Sequence, residues 1–185
     1  MKLLLCSASP RRRDLLLSLG VGFGVAPSHI DETRRDGEPP LEYARRMARE
    51  KAAAGMRPGF VALAADTIVV VGDEVLGKPR GRSDAERMLR LLSGVEHRVI
   101  TAVCVQDRVR SVETRVRFAG LTPAQLRFLV DSGDGDDKAG AYAVQGLAGA
   151  FITRIEGSFT NVVGLPLAET LEMLAEAGVE LPWKD

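Results

Sequence analysis

Aromatic residues are scarce in this 185-residue chain, with one Trp, two Tyr and six Phe. Nucleobases therefore find few stacking platforms, and a formal net charge of zero supplies no bulk attraction to a polyanion. A nucleic-acid partner is not expected. Cysteine is scarcer still. Cys6 and Cys104 lie in apolar, strand-like segments without the spacing of a zinc site, and two cysteines make no disulfide framework. They read as buried free thiols in a reducing compartment. His29 and His97 are isolated and read as structural, so no His–Cys or Ser–His constellation stands out. The apolar run Leu3-Leu4-Leu5 meets polar residues at once, too soon for a signal peptide or a spanning helix. No membrane partner and a cytoplasmic location are the expectation. The pattern G-x-x-x-x-G-K-[ST] is missing, which excludes a Walker-type NTPase.

What is present is an ordinary globular composition, 45% hydrophobic and 27% charged, in a mixed α/β order without internal repeats or a Pro/Ser-rich linker. A single domain over residues 1–185 is expected. Lys2 to Cys6 predicts a buried strand, and Pro10 opens a helix that Gly20 stops. VGFGVAPSHIDE contains a second strand, and a helix follows from Leu41 to about Met56. FVALAADTIVVVGDEV is β-rich with a Gly-Asp turn near Gly72. SDAERMLRLLSG predicts a helix capped by Ser83 and ended by Gly94. HRVITAVCVQ and RSVETRVRF predict paired strands, and LTPAQLRFLVDSG a helix capped by Thr122. GDGDDKAGAYAVQGLAG reads as a long, flexible surface loop. AFITRIEG and SFTNVVGLP predict a hairpin, and LAETLEMLAEAG a last helix.

The chemistry concentrates in a few places. Three consecutive arginines, Arg11 to Arg13, follow Ser7-x-Ser9-Pro10; so close together they repel unless an anion sits among them, and they read either as a basic, solvated helix start or as a phosphate clamp. Asp66 interrupts an apolar run. Burying a carboxylate there is costly without a cation or donors. It either accepts backbone N–H groups at a strand end or bulge, or serves as a metal ligand or general base. Glu32 and Glu50 are further carboxylates, and Glu50-Lys51 taken alone reads as a solvated helix face. Lys78 stands before a proline that fixes its backbone and points the ammonium one way, and it reads equally as a plain turn lysine. Lys138 and Gln145 lie in the glycine-rich stretch, where a backbone can approach a ligand closely. Together these residues supply the cations, hydroxyls and buried acid that hold a polyphosphate with a divalent metal, and arginine forks suit phosphate oxygens.

The chain closely resembles the Maf family of nucleoside triphosphate pyrophosphatases. The resemblance rests on SxSPRR (Ser7 to Arg12), DE (Asp31-Glu32), REK (Arg49 to Lys51), ADT (Ala65 to Thr67) and GKP (Gly77 to Pro79). It continues through SGxxHxVxTAV (Ser93 to Val103), DKAGAYxxQG (Asp137 to Gly146) and G-x-x-x-x-V-x-GLP (Gly157 to Pro166), in family order. It implies an α/β fold like that of inosine triphosphate pyrophosphatases, with a long mixed sheet, flanking helices and two lobes around a cleft. It also implies hydrolysis of the α–β phosphoanhydride to a nucleoside monophosphate and pyrophosphate, with Mg²⁺ or Mn²⁺, in a homodimer. By position, Asp66 corresponds to the family's general base and Ser7, Arg11, Arg12, Lys51 and Lys78 to its phosphate-binding residues. Glu32 corresponds to its additional acid, and the metal would fall to Asp66 and Glu32.

Arg11, Thr67 and Gln145 resemble the subgroup acting on dTTP, UTP and modified uridine nucleotides; the 7-methyl-GTP subgroup has Trp, Gln and Glu there. A neutral amide such as Gln145 can both donate to and accept from a uracil or thymine edge. The chain departs from the family at Cys6, usually alanine, and at DSGDGD, which is more acidic and glycine-rich than usual. Two alternatives stand beside this reading: a non-catalytic regulator of septum formation, to which the family is linked, and a purine-directed enzyme acting on inosine or xanthosine triphosphate.

Overall fold

The computed structural model describes residues 1–183. The strands are β1 (Lys2–Leu5), β2 (Phe23–Val25), β3 (Phe60–Val71), β4 (Glu74–Leu76), β5 (Glu96–Val105), β6 (Arg108–Phe118) and β7 (Ile152–Glu156). The helices are α1 (Pro10–Ser18), α2 (Pro40–Gly55), α3 (Arg82–Leu92), α4 (Pro123–Asp131), α5 (Phe159–Val163) and α6 (Leu167–Glu176). The strands form one mixed sheet in the order β2-β1-β3-β5-β6-β7, with β4 paired to β3. The β1 pairs with β2 and β3 are parallel; those of β3 with β4 and of β6 with β7 are antiparallel. The expected mixed α/β fold is therefore present.

The chain divides into two compact units. The first contains Met1–Asp66, Thr101–Val112 and Gly164–Asp185, and the second contains Thr67–Ile100 and Glu113–Val163. The first unit's core joins Leu3, Leu5, Leu16, Leu63, Val103 and Leu174, all fully or almost fully buried. In the second, Leu76, Leu89, Leu92, Phe118 and Tyr142 form the center of the core.

Local signals explain most boundaries. Pro10 sits in the first turn of α1, and Gly20 leaves it with φ 71°, the left-handed region that glycine enters without a Cβ clash. Thr122 caps α4 in a capping box: its hydroxyl accepts from Gln125 N–H, and the Gln125 side chain accepts from Thr122 N–H.

Three expectations require correction. Ser83 is not the N-cap of α3; the helix starts at Arg82 after Gly81 with no side-chain cap bond, and Asp84 in its first turn accepts from Arg80 N–H at 3.0 Å, which holds the chain leading into the helix. The segment after β7 is a short helix rather than a strand. Gly157 and Ser158 pack on Thr114, and Asn161 is fully buried, donating to Val99 O (3.0 Å) and Thr114 Oγ1 (2.9 Å). Those tertiary bonds override the β-branched local preference. The glycine-rich stretch is no flexible surface loop: it holds two 3₁₀ turns, Ala139–Ala141 and Leu147–Phe151, and Tyr142 is 6% exposed. Tyr142 Oη meets His97 Nε2 at 2.8 Å and stacks edge-on against Phe118, which anchors the segment.

The packing of Cys6 has a testable consequence. Cys6 and Cys104 are both buried free thiols, as expected, and burial raises the pKa of each. A Cβ placed on Gly55 at the end of α2 would overlap Cys6 Sγ. Gly55→Ala should therefore lower stability by about 1–3 kcal/mol through overpacking. Adding Cys6→Ala should recover part of that loss in a denaturant titration. Equal stability of the two Gly55→Ala variants would show that the sulfur is not what the new methyl meets.

Candidate active site

Lys51 reaches the interior because of where it falls on α2. The buried residues of that helix are Ala44, Met47, Ala48, Lys51, Ala52 and Gly55, a stripe at helical spacing. Lys51 occupies one of its core positions and is 9% exposed. It is thus not part of a solvated face, and the spacing from Met47 and Ala48 was the signal that could have said so. A buried ammonium needs partners. It donates to Asp66 Oδ1 at 2.7 Å and to Glu32 Oε2 at 2.8 Å.

Asp66 lies inside β3 rather than at a strand end, 7% exposed. Its place follows from the sheet register. β1 pairs with β3 only as far as Leu5↔Leu63, and Cys6 N–H donates to Leu63 O at 2.7 Å before the chain turns toward α1. Ligands of open α/β sheets collect outside such carboxyl ends of parallel strands. Burial raises the Asp66 pKa, with Lys51 and then Arg12 opposing it and Glu32 adding to it.

The β1–α1 connection brings up the basic residues. Arg12 Nε donates to Gly164 O at 2.7 Å, and Arg12 Nη1 to Ser7 Oγ at 3.2 Å. Ser7 Oγ also accepts from Ser9 N–H. Arg11 precedes Arg12 on α1 and is half-buried. Electrostatic coupling runs from Arg12 to Asp66, to Arg11 and to Glu32. The first unit thus gathers Ser7, Arg12, Glu32, Lys51 and Asp66 into one connected group.

Glu32 is exposed, and residues the sequence did not single out hold its segment. Tyr43 Oη donates to Glu32 O at 2.8 Å. Arg46 forks onto the Glu38 carboxylate at 2.7 and 2.8 Å and donates to Thr33 O at 3.0 Å. That fork pulls Glu38 down to about 2. No periodic pattern marks these partners, because Glu38 lies in an irregular segment.

Thr67, Lys78 and Gln145 belong to the second unit. Thr67 follows Asp66 on β3 and is half-buried; Lys78 and Gln145 are exposed. Gly140 N–H donates to Gly77 O at 3.1 Å, which fastens the glycine-rich segment beside the Lys78 turn. Gly140 has φ 72° and sits where a Cβ would press on Val69, so glycine is required there. Lys138 turns inward on its own loop, donating to Asp134 O and Asp137 Oδ1.

The motifs that supply these side chains run through almost the whole chain, and a family profile described as Maf-like protein matches residues 2–177. The chain belongs to the Maf-like protein family. Among its relatives in that family is a dTTP/UTP pyrophosphatase of Anaeromyxobacter dehalogenans, 52% identical over 99% of this chain and 97% of the relative. A dTTP/UTP pyrophosphatase of an Anaeromyxobacter species is 53% identical, covering 98% and 92%. One of Myxococcus xanthus is 48% identical, covering 98% and 95%. No helix of this Maf-like chain, among the described residues, is long and apolar enough to cross a membrane.

Proposed function

We propose that the chain is a nucleoside triphosphate pyrophosphatase acting on dTTP, UTP and modified uridine nucleotides, a house-cleaning activity of the cytoplasm carried out by a homodimer. The observation that carries the reading is the buried Asp66 carboxylate, held by Lys51 and coupled to Arg12. Its raised pKa makes it a stronger base than an ordinary carboxylate. Whole-length identity of about half to relatives named dTTP/UTP pyrophosphatase supports the reading.

In the reaction, Asp66 takes a proton from water, and the water oxygen bonds to a phosphorus of the α–β bridge. The bond from that phosphorus to the bridging oxygen breaks, giving the monophosphate and pyrophosphate. Ser7, Arg11, Arg12, Lys51 and Lys78 hold the triphosphate oxygens, with the arginine forks setting its orientation. Thr67 and Gln145 select the base, the Gln145 amide matching a pyrimidine edge that both donates and accepts.

The donor set suits a divalent cation. Asp66 and Glu32 already converge on one positive atom, Lys51 Nζ, and hard cations take carboxylate oxygens alongside phosphate and water. Mg²⁺ or Mn²⁺ held by Asp66 and Glu32 would neutralise phosphate charge as it develops.

The test is pyrophosphate release by the purified chain with Mg²⁺ or Mn²⁺, across dTTP, UTP, CTP, 7-methyl-GTP, ITP and XTP. Preference for dTTP and UTP is expected. Preference for a purine would keep the reaction and overturn the roles of Arg11, Thr67 and Gln145. Inactivity across the panel would overturn the enzymatic reading in favour of the septum-regulator alternative.

A further inference from the structure

At one end of the sheet order lies β7, hydrogen-bonded to β6 alone. An open edge strand is a template for another strand, and proteins commonly blunt it with charges that repel a copy. The charges on β7 do the opposite. Arg154 and Glu156 stand two residues apart on one face, forming an exposed pair at 2.8 Å with Ile155 between them.

Laid antiparallel on a second β7 about Ile155, each Arg154 faces the partner's Glu156, and the two Ile155 residues face each other. The backbone agrees with that register. Phe118 N–H is donated to Val95 O, so ladder alternation turns Arg117 and Arg115 toward β7, where they pair with Arg154 and Glu156. The N–H and C=O of Ile155 consequently point outward. An Ile155–Ile155 pair can therefore exchange both hydrogen bonds in the register that also brings each Arg154 to a Glu156. Along the same strand runs a groove of about 350 Å³, lined by Val144, Ile152, Ile155 and the exposed ring of Phe159.

From this we infer that β7 is the self-association surface of the chain, pairing antiparallel with β7 of a second copy in the register centred on Ile155. The inference rests on the homodimer stated under Proposed function and adds which strand makes it. A heterologous peptide would gain from the open edge but has no reason to match an Arg-x-Glu of this spacing. A second copy matches it twice by symmetry.

Sedimentation of the full chain over a concentration series, at low and high salt, tests the inference. The wild-type chain should be dimeric and dissociate more readily as salt rises. Arg154→Glu alone and Glu156→Arg alone each put like charges opposite one another twice, and each should weaken the dimer about tenfold or more. The double variant Arg154→Glu/Glu156→Arg restores opposite pairs and should recover the dimer, which separates charge register from general disturbance of the strand. Ile155→Cys should give a reducible covalent dimer on oxidation, because directly opposed residues of an antiparallel pair lie within disulfide reach. A monomeric wild type would overturn self-association itself. A wild-type dimer that neither single variant weakens, or that Ile155→Cys fails to cross-link, would overturn the β7 surface while leaving the dimer.

Discussion

Asp66→Asn should reduce turnover by about 10²–10⁴-fold while the chain stays folded. The amide fills the same space in β3 and can still accept from Lys51 Nζ, so the fold loses little. What disappears is the capacity to take a proton. Because burial raises the Asp66 pKa, the base form is lost on acidification sooner than for an ordinary carboxylate. In the wild-type chain kcat/KM should therefore fall as pH drops through a value above the ordinary carboxylate range. The residual activity of Asp66→Asn should lack that acidic limb. Near-normal turnover in the variant, or an unchanged limb, would remove Asp66 from the chemistry.

Lys51→Met should cost both activity and pH-dependent stability. Methionine fits the apolar stripe of α2 but withdraws the one ammonium that Asp66 and Glu32 share. Breaking a buried pair by removing one partner typically costs about 3–5 kcal/mol, since the other charge is left uncompensated. The sign with pH follows from linkage. Without Lys51 the folded-state pKa of Asp66 rises further above its unfolded value, so the folded state binds the extra proton. Stability is then retained at low pH and lost as pH rises through the folded pKa. Thermal melts should show a large deficit at alkaline pH that shrinks on acidification. Lys51→Met/Asp66→Asn should recover stability at alkaline pH but not activity. A deficit independent of pH would mean that Lys51 matters for its packing and not for its charge.

The elements that local chemistry dictates were legible in the sequence. Pro10 and Gly20 delimit α1, the Thr122–Gln125 box starts α4, and Gly72 marks the turn between β3 and β4. Legibility failed where a distant partner decides. Phe159 to Val163 is rich in strand-favouring residues, yet Asn161 is bound to Val99 and Thr114, far away in the chain. The glycine-rich stretch looks solvated until Tyr142 is seen hydrogen-bonded to a histidine 45 residues earlier. For the site, residue type alone marked Asp66 and the arginines as candidates, and the burial of Asp66 and its coupling to Arg12 in the first unit agree with that. That Lys51 joins Asp66 and Glu32 could not be read that way, because the spacing on α2 tells that Lys51 is buried but not which carboxylates the sheet and the segment before α2 bring to it. Arg46 and Glu38 escaped notice for the same reason.

The Arg12–Gly164 bond spans 152 residues, and Met1 is tied to Gly178 across 177. The unit that holds Asp66 is assembled from the chain's beginning, a middle stretch and its end. On the ribosome, a nascent chain that has already exposed Ser7, Lys51 and Asp66 must wait for the Gly164 segment before Arg12 finds its carbonyl. Contacts of such sequence separation make for slow folding. A polypeptide stalled or truncated before Gly164 would carry every motif cation of the first unit and still lack this anchor of Arg12. The anchoring of Arg12 is thereby tied to synthesis of the Gly164 segment, so the unit that holds Asp66 closes late.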